Sequence, residues 1–287
     1  MVKVGKVKEI WRYPVKGMAG EKLQKCQLGK NGFKGDRLWA VRDIVRQEIQ
    51  SCKFRPNLLK CIAKFRDEES AEIGQPVDII FPDDKIIGSD TPNIDQILSE
   101  LIGYKSTLEA LPSIDDIDFF RRYKPDDITW LEELKATFER QQGEALPDLD
   151  NLPQSAQDFV SLPGTFFLVT PFHLVTTATM EHMKKLNPDS DWNIERFRPN
   201  LVIETESNLQ GLVEQEWLGS NVVIGESLLS CNATTPRCGA VTKEQQNLTF
   251  DPQILRTMVK ETDQNLGVYG EALQAGNINV GDDIYLT

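Results

Sequence analysis

Cys238 is the residue with the densest chemical surroundings in this 287-residue chain, inside the run TTPRCGAV at Thr234 to Val241. Arg237 precedes it and Gly239 follows it, between strand-like segments. A neighbouring guanidinium stabilises a thiolate, and a missing side chain lets another molecule come close to the backbone. Such a thiolate serves as a nucleophile or as a soft metal ligand. A buried, inert thiol reads the same way in sequence. The other cysteines, Cys26, Cys52, Cys61 and Cys231, bring the total to five. An odd number without an export signal does not make a disulfide framework. Cys231 and Cys238 also lack the C-x-x-C spacing of a zinc ribbon or ferredoxin. With only His173 and His182 as histidines, a multi-histidine metal site is not expected.

Charge adds a second clue. The net charge is −12, which argues against nucleic acid or an anionic membrane surface as partner. Residues 1–42, however, hold eleven Lys or Arg against three acids. This basic region suits a compact anion such as a phosphate, or else it is a strand edge blunted with lysines. The motifs G-x-x-x-x-G-K, G-x-G-x-x-G and G-x-S-x-G do not occur, so nucleotide and lipase-like readings lose their usual support.

The elements that must position these residues are mostly short strands. KVKEIWRYPV, KLQKCQLGK, RLWAVRDIV, LLKCIAKF and VDIIFP alternate with Gly, Pro and charged turns over the first hundred residues, which predicts a small barrel or strongly bent sheet. DQILSELI reads as a helix started by Asn93 or Thr91. Between Glu109 and Asp158, thirteen acids face five bases; this stretch reads as a linker or surface excursion with a helix near 130–141. TFFLVTPFHLV then predicts a buried strand, and TTATMEHMKKL a helix capped by Thr176 or Thr177 with Met180, Met183 and Leu186 toward the core. The strand-like NVVIG and SLLSCNATTPRCGAVT, the helix PQILRTMVKE and a closing strand after a Gly-Asp turn complete the pattern. No stretch is apolar enough for a membrane span, and no signal-peptide pattern follows the basic start, so cytoplasm is the expected compartment.

Four further strings accompany Cys238 in order: YPVKG at Tyr13, GDRLWAV at Gly35, RFRPNLVIE at Arg196, and GVYGEA with INVGDDIYL near the end. Together with TTPRCGAV they resemble the MOSC superfamily, named after the C-terminal domain of the molybdenum cofactor sulfurase and including the mitochondrial amidoxime reducing component and its bacterial relatives. The resemblance implies an α+β, mainly β fold. It places an amino-terminal β-barrel-like domain at about 1–100, an acidic helical or linker excursion at 101–160, and a MOSC β-barrel domain with a few helices at 161–287. It also implies a molybdenum cofactor in its molybdopterin form, with no call for pyridoxal phosphate.

Carried over residue by residue, Cys238 matches the cysteine whose thiolate binds molybdenum. Lys16 matches the lysine of the YPVK turn, Arg37 the arginine of the D-R-F-W-like string, and Arg198 and Asn200 the R-P-N pair; Thr170 falls where the amidoxime reducers carry a cofactor-side serine. Gly17 and Pro236 depart from serines of that group, so Gly17 can offer only backbone N–H. Arg237, beside the cysteine, completes the candidate cofactor set. The implied activity is reduction of a small N-hydroxylated substrate such as an amidoxime or hydroxylamine; the alternative is a cofactor carrier or sulfur-relay protein without small-molecule turnover. Without a nicotinamide or flavin fingerprint or a four-cysteine iron–sulfur signature, electrons are expected from a separate flavin or iron–sulfur protein.

Overall fold

The computed structural model describes residues 1–287. Its largest element is a closed barrel of seven strands. Around the barrel they run Leu201–Thr205, Phe172–Thr176, Asn265–Gln274, Ser227–Pro236, Asn221–Ile224, Asp283–Leu286 and Val2–Arg12, and the last pairs again with the first. Every pairing is antiparallel except Phe172–Thr176 beside Leu201–Thr205. That parallel step needs a crossover, and the helix Thr177–Leu186 supplies it. Alternate residues fill the barrel: Val4, Val7, Ile10, Leu201, Ile203 and Ile284 are among its buried members. The first strand of the chain therefore closes a barrel built mostly from residues after 170.

A second core lies among residues 15–102, where Val15, Met18, Val41, Leu58, Val77 and Leu98 pack between short sheets. Trp39–Asp43 pairs with Ser106–Ala110, and Ile62–Phe65 with Val77–Ile80. Lys25–Gly29 pairs with Gly276–Asn279, and Cys26, Leu28 and Ile278 of this pair join the barrel core.

Local structure follows the sequence signals closely in the helices. Ile94–Ile102 follows Asn93 and ends at Gly103, whose φ of 77° satisfies the left-handed cap. Thr176 is the cap of Thr177–Leu186, its hydroxyl accepting from the Thr179 N–H. Four local expectations shift. The strand expected over 165–175 begins only at Phe172, because Pro171 cannot donate to a ladder. Leu58 and Leu59 belong to a 3₁₀ turn, Pro56–Lys60, rather than to a strand. In the methionine stripe, Met183 is fully buried but Leu186 is exposed, since the helix turns away from the core in its last turn. The helix expected over 130–141 is Thr129–Ala136, followed by turns.

Candidate functional site

Five backbone segments carry the candidate site. They are the turn Tyr13–Met18 after the first strand, the loop Gly35–Leu38, the turn at Cys52, the turn Phe197–Asn200 before its strand, and the turn carrying Cys238. Asp36 ties the first, second and fourth together. It is buried, accepts the Tyr13 N–H at 2.7 Å and the Asn200 side-chain amide at 3.0 Å, and pairs with the Arg37 guanidinium. Tyr13 answers by donating its hydroxyl to the Pro199 carbonyl at 2.9 Å. Its ring is flanked by the guanidinium groups of Arg198 and Arg37, 4.3 and 5.1 Å from the ring centre. Arg37 and Arg198 both hold φ near +50°, a left-handed conformation that costs a non-glycine residue about 1–3 kcal/mol and concentrates at functional sites.

Lys16 is buried, and its ammonium donates to the Phe166 carbonyl at 2.7 Å. Burial, with Arg37 and Lys53 nearby, pulls its pKa down to about 7. The unfolded lysine keeps its proton up to about pH 10.4, so between pH 7 and that value the unfolded chain binds one proton more. Stability then rises with pH across this window by at most about 1.4 kcal/mol per unit. The expected result in urea titrations is that Lys16→Met is more stable than the unsubstituted protein at pH 7 and that this advantage shrinks by pH 9. A constant difference across that range would refute the buried-ammonium cost.

Cys52 contributes a second thiol next to the Tyr13–Met18 turn. Its thiol is pushed up mainly by burial; Arg198 opposes this, Cys238 adds to it, and Lys53 and Lys16 pull it back down. It sits against Gly17, whose φ of 88° and tight approach to the Cys52 backbone leave no room for an ordinary side chain: a Cβ there would lie 3.1 Å from the Cys52 nitrogen. The serine-to-glycine departure at this turn thus coincides with a neighbour that fills the space.

Arg237 faces the other way, into the protein. It donates to the Leu266 carbonyl at 3.0 Å, the Phe197 carbonyl at 3.1 Å and Nε2 of His173 at 2.6 Å. Burial lowers its pKa to about 10. Burial also holds His173 well below the usual histidine range, and Arg237 beside it adds to the shift, so the imidazole is neutral. Its Nε2 then accepts from Arg237, and Nδ1–H donates to the Arg198 carbonyl at 3.4 Å. Arg196 clamps the same region: fully buried, it donates to the carbonyls of Asp191, Val241, Lys243 and Thr249. Two arginines and a histidine therefore fix the turn that presents Cys238.

The structure brings Lys16, Gly17, Arg37, Arg198 and Asn200 together, and Arg237 joins the Cys238 turn to them through the Phe197 carbonyl and through His173, which bonds to the Arg198 carbonyl. Asn200 spends its amide on Asp36 and on the Trp11 carbonyl, 3.3 Å away. Thr170 stays outside this network, its hydroxyl bonding to the Phe172 carbonyl at 3.2 Å. Cys52, Lys53, Asp36, His173 and Tyr269 escape a reading from motifs; Tyr269 stacks edge-on against His173 at 5.7 Å. Three of them, Asp36, His173 and Tyr269, lie within the quoted strings GDRLWAV, TFFLVTPFHLV and GVYGEA. Cys231 lies in the barrel core, where burial pushes its thiol up to about 11. A groove of about 650 Å³ between residues 29–38 and 164–167 reaches Arg37 and is not lined by Cys238.

A seven-stranded barrel packed against a second, amino-terminal unit of short sheets is the architecture of the chain. Residues 165–285 match the MOSC domain and residues 4–79 the MOSC N-terminal beta barrel domain, and the chain belongs to the MOSC superfamily. That membership makes it a member of a molybdenum cofactor-binding family. No curated protein matches the sequence. Among solved structures, the YuaD protein of Bacillus subtilis is similar over 99% of this chain and 95% of its own, with 10% identity and a TM-score of 0.44. YiiM of Geobacillus stearothermophilus covers 41% of this chain and 54% of its own, at 18% identity and TM-score 0.31; YiiM of Escherichia coli gives the same coverage at 16% and 0.30.

Proposed function

We propose that this chain holds a molybdenum cofactor of the molybdopterin form and reduces small N-hydroxylated compounds with electrons from a separate flavin or iron–sulfur protein. The observation that carries this reading is the cationic cluster with Cys238 at its edge. Lys16 has three donors and one protein acceptor, Phe166. Asp36, the carboxylate bonded into the cluster, is already occupied by Tyr13, Asn200 and Arg37. The remaining positive charge fits a phosphate and polar ring edges, which need fixed cationic and amide donors. No group of three or more His, Cys, Asp or Glu side chains converges on a metal position. A dithiolene-bound metal fits such a site because it asks the protein for one soft ligand.

In this reading Cys238 supplies that thiolate, while Lys16, Arg37 and Arg198, with backbone N–H at Gly17, hold the anionic part. Asn200 supports the set by anchoring Asp36, whereas Thr170, bonded to the Phe172 carbonyl, has no part in it. Arg237 acts one step back, fixing the Cys238 turn through Leu266, Phe197 and His173. When bound, the cofactor supplies the two-electron redox chemistry. The chain contributes orientation, positive potential and exclusion of water around the thiol.

Protein purified from a host that makes the cofactor should contain molybdenum and reduce a model amidoxime with reduced methyl viologen. With NADH alone it should not turn over, since no dinucleotide fingerprint is present in these residues. Efficient turnover of the pure chain with NADH would refute the partner requirement. Bound molybdenum with inactivity under both donors would instead support a cofactor carrier.

A further inference from the structure

The acidic excursion does not hang free as a linker. Its helix Thr129–Ala136 and the turns that follow pack Trp130, Leu134, Phe138 and Leu149 into a small apolar cluster, and Cys238 packs against that cluster. Phe138 and Leu149 are buried although they lie in a stretch dominated by charge. The backbone closes the contact: the Gly239 N–H donates to the Thr137 carbonyl at 2.8 Å. A Cβ at position 239 would meet the Glu139 carboxylate, the movable end of a side chain, which marks how close this segment lies. Glu139 itself holds φ 51°, a strained conformation at the point of closest approach.

Ion pairs fasten the segment on both sides. Glu139 pairs with Lys243 and Glu144 with Arg256, while Arg256 also donates to the Glu139 carbonyl at 2.7 Å and Arg140 reaches Gln264. On the opposite side Glu133 makes a two-pronged pair with Arg46, both contacts at 2.8 Å. The pairs to Lys243 and Arg256 are partly exposed, so salt weakens them.

We propose that residues 129–150 form an ion-pair-fastened strap that sets which molecules reach the Cys238 thiol, its apolar inner face and Glu139 limiting them by size. The inference rests on contacts at Cys238 and holds whichever cofactor the site takes. It assigns the negative charge of the strap a fastening role toward Lys243 and Arg256.

The test measures alkylation of Cys238 by peptide mass spectrometry in cofactor-free protein, with iodoacetamide as the small reagent and fluorescein maleimide as the bulky one. In the Glu139→Gln/Glu144→Gln protein, bulky labelling should quicken about tenfold, as expected if each pair contributes about threefold. Iodoacetamide labelling should change by less than about twofold, because a small reagent already passes the partly exposed thiol. Raising NaCl to about 1 M should move the unsubstituted protein in the same direction, a readout that needs no variant to fold. Equal acceleration of both reagents, with the buried Cys231 and Cys61 labelled as well, would mean general loosening and overturn the proposal. So would an unchanged bulky-to-small ratio under both the substitutions and salt.

Discussion

Cys238→Ala protein, purified from a host that makes the molybdenum cofactor, is expected to retain little molybdenum and to lose viologen-driven reduction altogether. Changes to groups that merely orient a metal ligand already cost roughly 10–100-fold in metal affinity or activity. Loss of the ligand itself should exceed that range. The comparison that gives this result meaning is Cys231→Ala. Cys231 is walled into the barrel among Trp217, Leu229 and Val268, with its thiol held protonated by burial. Its removal leaves a small cavity and should cost about 1 kcal/mol of stability without changing metal content or rate. Metal analysis and initial rates on the two proteins decide the matter: full molybdenum in the Cys238 variant would end the assignment.

Asp36→Ala is expected to be the most destabilising single change at the site, by about 3–5 kcal/mol, because a largely buried guanidinium loses its partner. Arg37 is 15% exposed at its side chain and pairs with Asp36. The same substitution strands the buried Tyr13 N–H, at a cost of about 1–3 kcal/mol, and leaves the Asn200 amide with the Trp11 carbonyl as its remaining acceptor. These terms overlap and do not add in full. Asp36→Asn keeps one acceptor oxygen and should fall between the two. Urea unfolding of the cofactor-free proteins measures this directly, and a loss below about 1 kcal/mol for the alanine variant would show that the carboxylate is not the hub described.

The two changes probe different levels of the same arrangement. In the proposed function Cys238 meets the bound group, whereas Asp36 holds together the turn, the loop and the R-P-N segment. Arg237 and His173 play a comparable part on the opposite side, with the guanidinium passing a hydrogen bond to Nε2 and the imidazole passing one on to Arg198. The candidate site is therefore supported by charged groups facing inward, which is affordable only because each has acceptors within the protein.

By itself the sequence determined the predominance of strands, the helices over Ile94–Ile102, Thr177–Leu186 and Pro252–Glu261, and the strings that carry Lys16, Arg37, Arg198, Asn200 and Cys238. These follow from short-range causes: apolar periodicity, caps such as Thr176, and turn residues all act within a few positions of chain. Only the tertiary structure decided that Val2–Arg12 closes a barrel with strands some 200 residues later, because strand pairing depends on partners that no local pattern names. The same holds for Cys52, an unremarkable cysteine in sequence that the fold sets against Gly17. It holds equally for Arg237, whose neighbour in the chain is the thiol but whose guanidinium turns to Leu266, Phe197 and His173. The acidic stretch is the sharpest case: its composition reads as solvated linker, yet four apolar side chains spaced through it bury together against Cys238 while the carboxylates find arginine and lysine partners from distant segments. Composition averages over a segment, whereas packing is decided by which few side chains meet a surface that only the folded barrel provides.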